Sequence, residues 1–366
     1  MHCATNSKSQ WKLVNEIIGK NSIRKSIKFI EDSSGNTQDD DYLISQHFNN
    51  YFVNVPRELT NENIEPQYLS DDELGKFVHG NDSFISHTCF FEPITESEIF
   101  NFIKDLKYSN SVSIDEISNN TVKKIAIFIV QPLAYILNLS LVSGIFPSHL
   151  KPAVVVPLHK SGSNSNVLNY RPISLLSVFS KIFEKALKSR ILNFLQKNSF
   201  FSKKQYGYQH NLSTEDAIID FLSNIYNGIN CKKKVAGLFL DISKAFDTVD
   251  HKILLKKLYY AGFRGVSYSL LQSYLSQRTQ CVRINNVFSD FLEVGSGVPQ
   301  GSVLGPVLFL VYINSLFDLA FKGNLVAFAD DTALSYCFDN YIGINSHIEH
   351  DLLLLRKWFN LHKMVI

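Results

Sequence analysis

The run Leu325-Val326-Ala327-Phe328-Ala329-Asp330-Asp331-Thr332-Ala333-Leu334 sets two adjacent carboxylates between two short apolar stretches. Each stretch is long enough for a buried strand, and the polar step between them is short enough to be a hairpin turn. A third carboxylate, Asp241, ends another apolar run far upstream, Val235-Ala236-Gly237-Leu238-Phe239-Leu240. If the three runs are neighbouring strands, the carboxylates collect at one end of one sheet. Taken singly, an Asp-Asp pair is an ordinary turn and a strand-end aspartate says little. Their sequence surroundings decide what they mean.

Charge is distributed unevenly along the chain. The net charge of +2 over 366 residues hides −8 for residues 1–100, +1 for 101–150, +9 for 151–210 and zero for the remainder. In the block 151–210 the one acidic residue, Glu184, stands among ten basic ones. That is an electrostatic footprint for a polyanion, or else a solvated basic surface. The 45% hydrophobic share excludes wholesale disorder. The five cysteines (Cys3, Cys89, Cys231, Cys281, Cys337) lie too far apart for zinc-finger spacing and argue against a disulfide framework, so an intracellular, reducing compartment is expected. The N-terminus is polar and shows no signal peptide. Ile125 to Phe146 approaches membrane-spanning length, but Gln131, Pro132, Asn138 and Gly144 interrupt it, so it reads as one or two buried helices rather than a span.

Residues 1–80 are acidic and Asn/Ser-rich, with weak helical patches at Trp11, Leu13, Val14, Ile17 and Ile18, and read as a linker or peripheral segment. Thr95 begins an N-cap pattern for a helix through Phe102, Ile103 and Leu106. Beyond Lys151 the pattern predicts a strand over 153–158, a loop over 161–166 and a returning strand over 170–174. A helix over 177–195 follows, then a helix over 213–225, the strand ending at Asp241 and a helix over 250–260 closed by Gly262. Short strands fall around 280–284 and 291–294, with helices over 302–317 and 344–358 on either side of the Asp-Asp hairpin. Helices mixed with antiparallel hairpins imply an α+β fold with a palm-like sheet, not a doubly wound one.

Five blocks carry the functional signal. They are VVVPLHKSGSNSNVLNYRPISLLSVFSKIFEKAL with QYGYQHNLSTEDAI, then LFLDISKAFDTVDH, then GVPQGSVLGPVLFLVYIN, and finally AFADDTAL. In this order, from about Glu92 onward, they closely resemble the reverse transcriptase of non-LTR (LINE-like) retrotransposons, and Trp11 to Phe52 resembles the region that those polyproteins carry before the polymerase. The resemblance implies a right-hand polymerase fold: a lead-in over 1–90, fingers over 91–234 and palm over 235–366. It implies RNA-directed DNA synthesis from an RNA template, a DNA primer and dNTPs, with two Mg²⁺ ions (or Mn²⁺) as cofactors and no membrane. Asp241, Asp330 and Asp331 become the catalytic metal ligands, with the Ile242 carbonyl beside them. Phe246 becomes the floor of the sugar pocket, where a flat ring would collide with a 2′-hydroxyl. Gln300 and Gly301 become the turn against nucleotide and template, and Lys160 and Arg171 the cations that meet the triphosphate. Asp247 and Asp250 lie past the strand end, where helix capping is the more natural role. A viral or intron-type polymerase fits less well, because of Phe246 and the wording of each block.

Family members continue beyond the point where this chain reads Trp358 to Ile366. Their Asn-x-x-Lys-Thr segment, thumb and upstream endonuclease are therefore expected to lie outside it. The alternative expectation is a catalytically inactive remnant that retains nucleic-acid binding alone.

Overall fold

A computed structural model describes residues 27–31, 37–63 and 85–366. The helical patch expected at Trp11 to Ile18 lies outside these residues. The fold is α+β, and two sheets organise it. The first has three antiparallel strands in the order Lys234–Leu240, Asp331–Phe338, Asn324–Phe328. Its register runs unbroken from Lys234 opposite Phe338 to Leu240 opposite Thr332. The second sheet is built on the antiparallel pair Ala153–His159 and Tyr170–Leu175. Arg278–Ile284 adds to it in parallel, with Val287–Phe288 and Leu292–Val294 at its far edge.

Helices cover both sheets, and their boundaries follow from capping chemistry. Thr95 accepts from the Glu98 amide and opens Glu96–Lys104. Ser177 caps Val178–Lys197, and Ser213 with Asp216 forms a reciprocal capping box for Thr214–Asn230. The apolar helix Gly305–Ile313 is buried along its whole length. It is docked by Glu184 Oε2, which accepts from Val303 N at 2.6 Å and Leu304 N at 3.2 Å, where the helix dipole favours a negative charge. Burial pushes the Glu184 carboxyl upward, while Arg278, those two amides and the Ser180 hydroxyl oppose the shift. One further helix, Val266–Leu275, had no sequence signal. Its N-cap, Gly265, makes no side-chain hydrogen bond.

One segment departs from expectation, and a second meets it in forming a helix but is buried on one face alone. The supposed linker contributes a 23-residue helix, Asp41–Asn63, whose Ile44, Phe48 and Phe52 pack with Val155, Tyr170 and Val282 of the second sheet. The apolar stretch near 125–146 forms a single helix, Ala126–Ser143, stopped by left-handed Gly144. It is long and apolar enough to cross a membrane by length and composition. Val130, Leu133, Leu137 and Leu141 are buried in the core, while Phe128, Tyr135 and Val142 are exposed.

Asp250 is a helix cap, as its position suggested. Its Oδ1 accepts from Lys252 N and Ile253 N at the start of His251–Tyr260, and its Oδ2 pairs with Lys363 at 2.7 Å. Burial works against its ionisation, but the Lys363 bond and the two amides outweigh it and hold the carboxyl below its ordinary value. Asp250→Ala should therefore cost about 1–2 kcal/mol near neutral pH. Because the folded pKa is depressed, this contribution is present above the ordinary value of 3.8 and fades as pH falls through the folded one. Thermal unfolding of both proteins at neutral and strongly acid pH checks this, and the gap in Tm should close in acid.

Candidate active site

The hairpin forms as its composition requires. Phe328 pairs with Asp331, so Ala329 and Asp330 make a two-residue turn and Asp331 is the first residue of the return strand. Leu240 pairs with Thr332, and one more step along that register sets Asp241 beside Asp331. The three carboxylates thus share one end of the sheet. Asp241 and Asp331 are exposed and Asp330 is half-buried. Burial, and then the charges of Asp331 and Asp241, push the Asp330 carboxyl upward, while Arg171 pulls the other way. The carboxylates and the guanidinium therefore act in one electrostatic field.

All the donors here are hard oxygens, the type that Mg²⁺ and Mn²⁺ prefer, and the mutual repulsion at Asp330 is what a divalent cation would relieve. The donor type fits a metal, but the set is incomplete. Among the described residues no three His, Cys, Asp or Glu are grouped so as to hold an ion by themselves. Any bound ion would need oxygens from a ligand as well. Ile242, next to Asp241, is buried.

The turn is held by residues that the sequence did not single out. Ala329 has φ 58°, a left-handed conformation that costs a non-glycine residue on the order of 1–2 kcal/mol. Gln205, buried to 1% exposure, offsets this cost. Its Oε1 accepts from Ala329 N at 2.9 Å and from Gly207 N at 2.8 Å, and its Nε2 donates to Ala329 O at 3.2 Å. On either side, Tyr206 N donates to Ala327 O and Ala327 N to Lys204 O. A Cβ on Gly207 would lie 2.2 Å from Ala329 N, so that position must be glycine. The QYGYQH block is thus a backbone clamp on the carboxylate turn.

The remaining candidates fall around this centre. Phe246 stacks on Phe309 (centroids 4.6 Å apart, 24° between planes) and meets Tyr208 edge-on at 6.4 Å. The Gln300 carbonyl accepts from Ser174 N at 2.8 Å. Gly301 has φ 131°, and a Cβ there would lie 2.4 Å from Ser174 O. Arg171 lies opposite Leu158 in the 153–175 hairpin, and Lys160 is one residue past the His159–Tyr170 pair; both are exposed. A third cation joins them. Burial lowers the Lys244 ammonium, Asp247 counters this, and the neighbouring charges of Lys160 and Arg171 lower it further. No pattern in the sequence marks Lys244. The capping role suggested for Asp247 does not hold. Its two oxygens instead accept from Gln300 Nε2 at 2.9 Å each.

The family model described as Reverse transcriptase (RNA-dependent DNA polymerase) matches residues 158–366. The chain belongs to the reverse transcriptase family. Its domain is of the kind found in RNA-directed DNA polymerases of non-LTR retrotransposons. It is 32% identical, over 80% of its length, to a Drosophila melanogaster protein named Probable RNA-directed DNA polymerase from transposon BS, covering 33% of that protein. It is also 30% identical, over 72% of its length, to the RNA-directed DNA polymerase from mobile element jockey of the same organism, covering 30% of it. A third relative is the Retrovirus-related Pol polyprotein from type-1 retrotransposable element R1 of Bradysia coprophila, 30% identical over 56% of the chain and 20% of the relative. The chain thus spans a third or less of the length of these relatives.

Gln205→Leu removes three hydrogen bonds and leaves the Ala329 and Gly207 backbone groups without partners in a dry site. It should destabilise the chain by on the order of 3 kcal/mol. Chemical denaturation checks the size of the loss. Amide exchange at Ala329 should rise well above the change at a remote strand such as Arg278–Ile284.

Proposed function

We propose that this chain carries the fingers and palm of a right-hand RNA-directed DNA polymerase, which extends a DNA primer with deoxynucleotides on an RNA template as part of retrotransposon mobilisation. The observation that carries this reading is the convergence of Asp241, Asp330 and Asp331 at one sheet end, in one field with Arg171. In this reading residues 1–90 are a lead-in, 91–234 the fingers and 235–366 the palm. The family relationship and the electrostatics support it.

Each group has a task in the transfer. The carboxylates would hold two divalent cations, Mg²⁺ or Mn²⁺, whose chemistry is to neutralise phosphate charge and favour the ionised primer hydroxyl. Arg171, Lys160 and Lys244 would face the triphosphate, the guanidinium binding its oxygens two at a time. The Gln205 clamp keeps Asp330 in place without consuming its oxygens. Phe246, fixed by its stack on Phe309, presents a rigid ring under the sugar and leaves no room for a 2′-hydroxyl. Gln300 and Gly301 lie against the nucleotide and template. The +9 block at 151–210 offers the template strand a basic channel.

Primer extension on poly(rA)/oligo(dT) with Mg²⁺ tests the reading. The purified chain should incorporate dTTP, and Asp330→Asn should reduce extension to background while salt-sensitive RNA binding persists. RNA binding without any incorporation by the wild-type chain would leave a binding remnant in place of an enzyme. Phe246→Val should admit ribonucleotides, and an unchanged dNTP-to-rNTP preference would refute the sugar gate.

A further inference from the structure

Against the Pro299-Gln300-Gly301 turn sits Asp247, a half-buried acid. The loop carrying Gln300 is fastened to the chain around Asp247 from several directions. Val298 N donates to Phe246 O, Gly297 N to Val249 O, and the Gly297 carbonyl meets His251 Nε2 at 2.7 Å. A Cβ on Gly297 would lie 2.7 Å from Asp247 O. The loop backbone is therefore fixed without any help from the Asp247 side chain. Among the described residues that side chain hydrogen-bonds the amide nitrogen of Gln300, which it engages with both oxygens at 2.9 Å.

An ionised carboxylate can only accept, so it determines which end of the glutamine amide faces it. With Nε2 committed, Gln300 Oε1 is the free end, and among the described residues it accepts no hydrogen bond. We propose that Asp247 is a positioning residue which turns Gln300 into a fixed hydrogen-bond acceptor for a hydroxyl or amino donor of the incoming nucleotide. The inference rests on the polymerase reading above, and it adds a polarity. Gln300 reads donors and refuses acceptors.

The charged and titratable groups around Asp247 are consistent with this role. Burial pushes its carboxyl up to about 6, with the Gln300 amide and the Lys244 ammonium opposing the shift. Tyr51 faces it from the helix Asp41–Asn63, with Glu58 beyond, and Asp247 helps to raise the Tyr51 phenol. Arg278 lines the same cavity of about 50 Å³, and His251 lies across the loop. That volume is room for a few waters and not for a nucleotide. Above about pH 6 the carboxylate holds Nε2. Below it the protonated acid can donate to Oε1, the amide can turn, and the acceptor is lost.

The test uses the full chain labelled with [¹⁵N]glutamine, with the Gln300 side-chain signal identified by its loss in Gln300→Glu. The Nε2 resonances should titrate with a midpoint near 6 in the wild type and not in Asp247→Asn. Absence of that titration in the wild type overturns the proposal. In parallel, dTTP binding is measured on the complex with poly(rA) and a primer ended by a 3′-deoxynucleotide. Asp247→Asn should weaken dTTP binding roughly tenfold, the equivalent of one lost hydrogen bond, and acidification through the same window should weaken wild-type binding alike. An unchanged affinity and a flat pH profile overturn the role in nucleotide binding. A loss of dTTP binding places the donor on the sugar, since thymine has no exocyclic amine. If the wild type binds dTTP in this pH-dependent way but never incorporates it, the polymerase reading fails by itself.

Discussion

The register between Lys234–Leu240 and Asp331–Phe338 is the constraint on which the rest of the site depends. Side chains alternate along a strand, so a slip of one residue would turn buried Leu240 and Leu334 outward and separate Asp241 from Asp331. Hydrophobic burial thus places groups that are not hydrophobic at all. The carboxylates lie where the apolar runs stop, and their repulsion is tolerated because the sheet behind them is fixed by its core. The left-handed Ala329 adds a local cost at the same point, which the Gln205 clamp offsets with hydrogen bonds to both the amide and the carbonyl of that residue.

Charge is organised by burial as much as by composition. Glu184 is the one acidic residue of the 151–210 block, and it is fully buried against the amides of Val303 and Leu304. Its negative charge therefore serves the start of the helix Gly305–Ile313 and does not offset the basic surface. With Glu184 and Lys151 buried, the charged side chains left towards the surface of the block are all basic. Arg171 and Lys160 belong to that surface, yet Arg171 is felt at Asp330 and both are felt at Lys244. At their boundary the basic hairpin and the acidic sheet end act on one another, a suitable seat for a ligand that carries phosphates and bound cations.

What could be read from the chain alone divides by the range of the interaction. Local chemistry was legible. Thr95, Ser177, Ser213 and Asp250 cap the helices that their spacing announces, and apolar runs located the strands that carry Asp241, Asp330 and Asp331. The helix Val266–Leu275 was missed because Gly265 offers no capping side chain. The helix Asp41–Asn63 was missed because an acidic, Asn-rich setting hides an apolar face whose partners, Val155 and Val282, are remote in sequence. Within the site, the Gln205 bonds to Ala329 span 124 residues and the Gln300 bond to Asp247 spans 53. Periodicity and spacing carry no trace of such pairs. A buried glutamine clamping a backbone reads the same in sequence as any loop glutamine.

Asp247 and Asp250 show how little separates two roles. They stand three residues apart in one turn, and either could be taken for the cap of the following helix. Asp250 meets free helix amides and an exposed lysine, and its carboxyl is held below the ordinary value. Asp247 is packed against the loop of Gln300 and its carboxyl is driven upward. The difference comes from the partner and not from the residue type. An acid facing backbone amides stabilises the fold throughout the neutral range. An acid facing a single side-chain amide in a half-buried setting is costly to ionise, and a compact fold keeps such a group where the orientation it enforces has a use. At Gln300 that use is to present one end of an amide, rather than the other, beside the carboxylate centre.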